Sequence, residues 1–587
     1  MIQATGSQII IKLLELAGIK TVAGIPGGSI LPLYDELGRS SIRHILVRQE
    51  QAAGFIAQGM ARSTGLPAVC MATSGPGAMN LLTAIADARC DSVPIIAITG
   101  QVNTAMIGTD AFQEADTFGL SFPITKHSMM VKDAKDLLTA IPLAFAIATS
   151  GRPGPVLIDV PRDVQLQAVS FEAWPGAECF RGKAAASALV RYATPEHEVP
   201  AVIQAMAQAL AEAEKPVLYL GGGCNTLRAA EVIGDFLKGY EAAVVTSLMG
   251  IGAVPRSYEN NFGMVGMHGS YAANRAMHDA DLVLAAGVRF DDRATGAVAK
   301  FCPNAKILHI DIDAAEINKI LPAALSLVMN LEDAFPLLTQ AVKKLPAAGS
   351  AASAKAACDA RAAFLASLRK TYEETESLVL GRKQGIPESS VNPRAFIRSF
   401  PEAAKKQGVK PEDIIVTTDV GQHQMWSAQY YPVEKARQFL TSGSLGTMGF
   451  GLPTALGAAL ANPGRRVVCF TGDGSILMNV QELATLAELN LDVTIVLFKN
   501  GSLGMVRQQQ EYLFDRHYSA SVFEKVPDFL TVAKGFGIDA VDAVADKDWA
   551  AKAFAKGPHL VLVSIAMEEN VLPFVSAGRA NIDAIRD

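Results

Sequence analysis

The sequence predicts an α/β protein made of three blocks, each organised around a parallel sheet. Short buried apolar runs alternate with helical apolar rhythm along the chain, and 50% hydrophobic content with 49 glycines in 587 residues fits layered α/β architecture better than disorder. The first block, residues 1–165, carries strands at 44–47, 68–72 and 94–99. Residues 166–200 hold Pro, Gly and small polar residues without a clear period and read as a linker. The second block, residues 201–343, opens with a helical pattern at 201–213 and a strand at 216–220. Residues 344–392 turn rich in Ala, Lys and Glu, which reads as a surface linker continuing into a solvated helix. The third block, residues 393–587, ends in a tail that either lies on the surface or closes over a site. Blocks one and three each carry a strand, a Gly-rich turn and a helix, so they read as similar sheets.

The formal charge of −6 comes with scattered Lys and Arg and no basic stripe, which argues against nucleic acid and leaves small anionic metabolites bound by local groups. Seven cysteines without a Cys-x-x-Cys pair, most of them in apolar runs, point to a reducing compartment. The amino terminus lacks signal-peptide features and no apolar run reaches about 18 residues, so a cytoplasmic location away from membranes is expected.

Residues 467–479 and 493–502 are the most informative stretches. Each begins as a buried strand and ends in a polar, Gly-containing turn, with a helical rhythm at 480–489 between them. A right-handed crossover brings both carboxyl ends to one sheet edge, so Asp473 and Asn500 meet although 27 positions apart. Asp473 offers an anionic oxygen, Asn500 an amide oxygen and Ser502 its carbonyl, a set suited to Mg2+ that keeps positions for water and phosphate. Gly472 and Gly474 let backbone N–H groups approach a phosphate, and Ser475 opens the following helix. Gly-Asp-Gly alone is an ordinary turn; its pairing with Asn500 at this spacing resembles the diphosphate and magnesium signature of thiamine diphosphate enzymes. In block one, Glu50 stands between a strand and an apolar helix pattern, where such a residue is usually a solvated dipole partner. With that cofactor, a Glu partly withdrawn from water, its pKa raised, would hydrogen-bond the aminopyrimidine ring and make its exocyclic nitrogen a base. Phe112 and Gln113, flanked by charged residues, wall a small substrate pocket or pack a helix start.

Further motifs sharpen the likeness: Gly-Ile-Pro-Gly-Gly at 24–28, Thr-Ser-Gly-Pro-Gly at 73–77, Ser-Gly-Arg-Pro-Gly-Pro at 150–155, Gly-Met-His-Gly at 266–269, Gly-Val-Arg-Phe-Asp-Asp-Arg at 287–293, Gly-Gln-His at 421–423, Gly-Thr-Met-Gly at 446–449 and Gly-Met-Val-Arg-Gln at 504–508. Over nearly its whole length the chain resembles the catalytic large subunits of acetohydroxyacid (acetolactate) synthases, nearest the isozyme I type. The resemblance implies three doubly wound parallel-sheet domains of the thiamine diphosphate enzyme type, with pyrimidine-binding, FAD-binding and diphosphate-binding roles in chain order. Residue by residue, it implies Glu50 as the cofactor-activating glutamate, and Gly421, Gln422, His423, Gly446, Met448, Gly504 and Met505 around thiamine diphosphate. Asp473, Asn500 and Ser502 match the magnesium ligands. Gly221, Gly222, Gly223, Met267, His268, Gly287, Arg289, Asp311 and Ile312 stand at positions plausible for FAD, although the triple glycine is not Gly-x-Gly-x-x-Gly and carries little weight alone. Arg293 and Met267 match the substrate entrance, where a guanidinium can hold a ketoacid carboxylate; the plainer alternative is an ion pair of Arg293 with Asp291 or Asp292.

The implied reaction decarboxylates pyruvate and joins the two-carbon unit to a second pyruvate or to 2-ketobutyrate. Pyruvate oxidation or simple decarboxylation shares most of the cofactor signature and remains an alternative. The family implies at least a homodimer, with the glutamate of one chain facing the diphosphate domain of another, and a possible small regulatory subunit. One departure bears on specificity: Gln509 stands where many relatives carry Trp beside the extra methyl of 2-ketobutyrate. One methylene in an apolar pocket is worth roughly 1–3 kcal/mol, so losing that wall should flatten acceptor preference. Competition between equal supplies of pyruvate and 2-ketobutyrate is expected to give mixed products; strong enrichment of acetohydroxybutyrate would contradict this.

Overall fold

A computed structural model describes residues 1–180, 193–345, 351–380, 386–387 and 390–586. It contains three six-stranded sheets in which every paired strand runs parallel. The first has the order Arg43–Leu46, Thr21–Gly24, Ala68–Ala72, Ile95–Gln101, Val156–Pro161, His127–Met130. The third repeats that order with Phe439–Leu440, Ile415–Thr418, Val467–Gly472, Val493–Lys499, His559–Ser564 and Asp539–Asp542. Counted along the chain, both read 2-1-3-4-6-5, so the two blocks are indeed similar sheets. The second sheet runs Asn261–Met264, Ala243–Thr246, Pro216–Leu220, Leu282–Ala286, Lys306–Asp311, Leu325–Val328, the 3-2-1-4-5-6 order of dinucleotide-binding folds.

Strand residues alternate between two cores because successive side chains point to opposite faces. In the first sheet Ala23, Cys70 and Ala97 enter one cluster, and Val22, Val69 and Ile96 the other. Both faces are therefore buried, which is why these strands read as continuous apolar runs. The cluster holding Cys70 also holds Val467, Cys469 and Ile495, so the first and third sheets share one core. At its centre helix Glu50–Thr64 crosses helix Gly451–Ala461. The crossing depends on two glycines: a Cβ at Gly59 would stand 2.1 Å from the Thr454 carbonyl oxygen, and one at Gly457 would stand 2.0 Å from that of Ile56.

Two expectations change, and the alternative left open for the tail is decided. The linker read from residue 166 is structured at its start, where Ala168–Phe171 pairs antiparallel with Ile2–Thr5. The helix in the second linker, Ala351–Leu380, is not simply solvated: Phe364, Leu365 and Leu368 are buried against Tyr219 and Phe262, and Arg361 donates to the Ala213 and Leu210 carbonyls at 2.7 and 2.8 Å. Residues 181–192, 346–350, 381–385 and 388–389 of the expected linkers lie outside the described residues. The carboxyl-terminal tail is buried at Val571, Leu572, Phe574 and Val575, and the Val575 amide donates to the Met267 carbonyl at 3.0 Å. Cys70, Cys224, Cys302 and Cys469 are buried free thiols, while Cys179 and Cys358 are exposed. Among the described residues no helix is long and apolar enough to cross a membrane.

Replacing Gly457 with Ala forces a methyl into the Ile56 backbone, and overpacking of this kind costs about 1–3 kcal/mol. Thermal or denaturant unfolding of Gly457→Ala should show that loss; unchanged stability would mean that the crossing relaxes freely.

Candidate functional site

The third sheet changes direction between Ile415–Thr418 and Val467–Gly472, and the loops leaving both strands open onto one crevice. Gly472 lies opposite Phe498 in register, so Asp473 and Asn500 emerge on neighbouring strands. Asp473 Oδ2 accepts the Gly501 amide at 2.7 Å and the Asn500 amide at 3.1 Å. Asn500 Oδ1 accepts the Ser502 amide at 3.1 Å and its hydroxyl at 3.2 Å. Asn500 Nδ2 donates to Gln422 Oε1 at 3.2 Å, and Gln422 Nε2 donates to Gln508 Oε1 at 3.0 Å and to the Glu569 carbonyl at 2.8 Å. At Gly504 an added Cβ would stand 2.1 Å from Gln422 Oε1, so a larger residue would have to displace the Gln422 and Asn500 amides. Burial pushes the Asp473 carboxyl up to about 6 against the two amides that favour its charge; a cation here would oppose that rise.

His423 lies against the Gly472 turn, where a Cβ would come 2.9 Å from its Nδ1. Its Nε2 is buried without a protein partner, and burial lowers its pKa to about 3, keeping the ring neutral. Asp419 accepts the Val420, Gly449 and Gly451 amides at 2.9, 2.8 and 3.3 Å, bracing the loops on both sides of the crevice.

The crevice belongs to a cleft of about 1130 Å³. Gly421, Gln422, His423, Gly446, Met448, Gly472, Asp473, Gly474, Ser475, Asn500, Ser502, Gly504, Met505 and Gln509 line it from the third sheet. Gly222, Gly223, Met267, His268, Gly287, Arg289, Arg293, Asp311 and Ile312 line it from the second, whose strands Pro216–Leu220 and Leu282–Ala286 flank its own change of direction. Gly221 does not line the cleft; a Cβ there would meet the Gly287 carbonyl oxygen at 1.9 Å, so it lets the two strand ends touch. Arg289 Nη1 donates to the Cys90 carbonyl at 2.7 Å, and burial pushes Asp311 up to about 6. Arg293 Nη1 approaches Met267 Sδ at 3.6 Å, and its 3.7 Å pair with Asp292 joins side chains 66% and 84% exposed, too solvated to hold the guanidinium from a ligand. His268 packs on Phe574, and burial lowers its pKa to about 4.

Glu50, Phe112 and Gln113 do not line this cleft. Glu50 opens its helix half-buried, accepting from Asn80 Nδ2 at 2.9 Å, and a Cβ on Gly77 would lie 3.4 Å from its Oε1. Gln113 abuts Gly75, while Phe112 is 87% exposed. These residues gather at the first sheet's carboxyl edge, apart from the cleft lined by the second and third sheets. Sequence reasoning missed Glu569 and Asn570, which tie the tail to helix Gly504–Leu513 through Gln422 and Arg507. Their one signal was a polar run at 568–570 inside an apolar tail.

Three family models match the chain: "Thiamine pyrophosphate enzyme, N-terminal TPP binding domain" over residues 4–120, the central domain of the same enzymes over 203–363, and their C-terminal TPP binding domain over 419–565. The chain is 44% identical to the acetolactate synthase isozyme 1 large subunit of Escherichia coli (strain K12), covering 99% of this chain and 97% of that one. It is 41% identical to the isozyme 2 large subunit of the same organism over 99% of each chain. The acetolactate synthase large subunit of Lactococcus lactis subsp. lactis (strain IL1403) is 40% identical over 98% of this chain and 95% of its own.

His423 carries a pH prediction. Its folded pKa, about 3, lies below the unfolded value of 6.5, so the stability it contributes is complete above pH 6.5 and falls as pH drops toward 3. The slope is about 1.4 kcal/mol per pH unit. His423→Gln should lose less stability than the wild type between pH 7.5 and 5.5 in thermal unfolding; equal losses would contradict a buried neutral imidazole.

Proposed function

The chain belongs to the acetolactate synthase large-subunit family of thiamine diphosphate enzymes, and we propose how its residues divide that work. It is a thiamine diphosphate-dependent carboligase that decarboxylates pyruvate and joins the two-carbon unit to a second 2-ketoacid, in branched-chain amino-acid biosynthesis. The product is 2-acetolactate with pyruvate as acceptor and 2-aceto-2-hydroxybutyrate with 2-ketobutyrate.

The observation that carries the proposal is the meeting of Asp473 and Asn500 at the third sheet's edge. Asp473, Asn500 and the Ser502 carbonyl hold Mg2+, a hard oxygen set for an ion that also takes phosphate oxygens. Gly421, Gln422, His423, Gly446, Met448, Gly472, Gly474, Ser475, Gly504 and Met505 surround thiamine diphosphate. The fit is supported by the buried Nε2 of His423, which lines the cleft without a protein partner, and by the glycines on either side of Asp473. FAD is proposed along the second sheet's change of direction, with Gly222, Gly223, His268, Gly287, Arg289, Asp311 and Ile312, and with Gly221 shaping the turn by its contact with Gly287. When bound, thiamine diphosphate supplies an electron sink for decarboxylation.

The protein's own groups do the rest. Glu50, oriented by Asn80, would hydrogen-bond the aminopyrimidine ring of the bound cofactor. Because Glu50, Phe112 and Gln113 stand away from their own chain's cleft, they are proposed to complete the cleft of a second copy, making a homodimer or homotetramer the working unit. Arg293, on the cleft rim beside Met267, holds the acceptor carboxylate, and Gln509 lines the acceptor pocket. A small regulatory partner is proposed from the "large subunit" names of the relatives, and a cytoplasmic location from the buried free thiols.

Glu50→Gln, assayed with saturating cofactors, should lose acetolactate formation by about 100-fold or more, the range of general acid–base effects. Near-normal turnover would remove the role. Mixing Glu50→Gln chains with Asp473→Asn chains should restore activity through a composite site with both groups intact; mixtures as inactive as either parent would rule out a shared site.

A further inference from the structure

Arg62, Asp87 and Asp91 form a buried ionic cluster outside the residues assigned above, with side chains 5%, 0% and 0% exposed. Arg62 lies near the end of the helix that Glu50 opens, Asp87 lies in helix Pro76–Cys90, and Asp91 caps that helix. Arg62 Nη2 donates to Asp87 Oδ1 at 3.1 Å and to Asp91 Oδ2 at 2.9 Å. One guanidinium cannot satisfy two buried carboxylates, so the remaining acceptors need other donors. One loop of the third block provides them. Asp91 accepts the Gly443 amide at 2.8 Å and the Ser444 amide at 3.0 Å, while Asp87 Oδ2 accepts Thr447 Oγ1 at 2.9 Å and the Ser442 hydroxyl. Thr447 donates its amide to Ser442 Oγ at 2.9 Å, and Arg62 Nη1 donates to the Thr441 carbonyl at 3.0 Å. The second block closes the remaining side: a Cβ at Gly443 would meet Met249 Sδ at 2.2 Å, and Arg289 reaches both the Cys90 carbonyl and Ser444 Oγ.

This loop runs directly into Gly446 and Met448, with Thr447 between them. We propose that the Arg62–Asp87–Asp91 cluster is a positioning device that clamps the loop at 441–448 and thereby sets where Met448 meets the bound cofactor. A staple between blocks would need contacts anywhere along their boundary; here the donors are concentrated in the few residues that deliver Met448. The proposal rests on the reading of Met448 as a cofactor contact.

Cofactor-stripped holoenzyme variants, retitrated with thiamine diphosphate and Mg2+, test it. Thr447→Val keeps the shape and removes one donor to Asp87; Thr447→Ser keeps the donor. Thr447→Val should raise the apparent Kd for thiamine diphosphate about 10-fold, through the share of that hydrogen bond that holds the loop in its cofactor-binding position, and lower kcat. Thr447→Ser should stay within about twofold of wild type. Thr447→Val combined with Asp87→Asn should lose no more than Asp87→Asn alone, because both act through one contact. Met448→Ala separates the two levels. If Met448→Ala leaves Kd and kcat unchanged, the reading of Met448 fails and the proposal with it. If Met448→Ala weakens binding or turnover while Thr447→Val lowers only the melting temperature, or changes nothing, the positioning role alone is overturned.

Discussion

The carboxylate of Asp473, locked by the amides of Asn500 and Gly501, is the contact on which the geometry of the cleft depends. A buried carboxylate is costly unless hydrogen-bonded, and here its donors come from the loop of the neighbouring strand, so the two loops are held in one arrangement. From that point polar contacts continue without a break. Asn500 engages Gln422, Gln422 engages Gln508 and the Glu569 carbonyl, and Gln508 Nε2 donates to the Val571 carbonyl at 2.9 Å. The loops, the helix after Ser502 and the carboxyl-terminal tail therefore form one network, in which displacing any member leaves another buried polar group unpaired.

The sheets supply the frame for this network. The first and third share an order and a core, pressed together where Gly59 and Gly457 let two helices touch backbone to backbone. The second has a different order, and its change of direction faces the same cleft. The cleft thus lies where the edges of two distinct sheets meet, and Met267, Arg289 and Arg293 reach it from one side while Met448 and Gln509 reach it from the other.

Much of this was legible locally. Parallel strands with both faces buried must read as apolar runs, and the crossover rule then puts Asp473 beside Asn500 without further information. The solvated-helix reading of Ala351–Leu380 went astray because three apolar anchors, Phe364, Leu365 and Leu368, are diluted among Ala and charged residues. The tail stayed ambiguous because the apolar residues at 571–575 suit either a surface strap or a packed one until Met267 and Gln508 are seen beside them. Arg62, Asp87 and Asp91 gave no sign, since each looks like an ordinary helix charge until folding removes water from all three.

Taken alone, the amino-acid order determined the three parallel sheets, the pairing of Asp473 with Asn500 and the glycines of the crevice, because crossover handedness, side-chain periodicity and backbone sterics act over short stretches of chain. Only the tertiary structure decided that the backbones at Gly221 and Gly287 touch and that a loop of the third block folds around two carboxylates of the first, while the separation of Glu50 from its own chain's cleft had been implied by the family resemblance alone. Those outcomes depend on which surfaces exclude water together, and residues hundreds of positions apart acquire that relation only when the sheets pack.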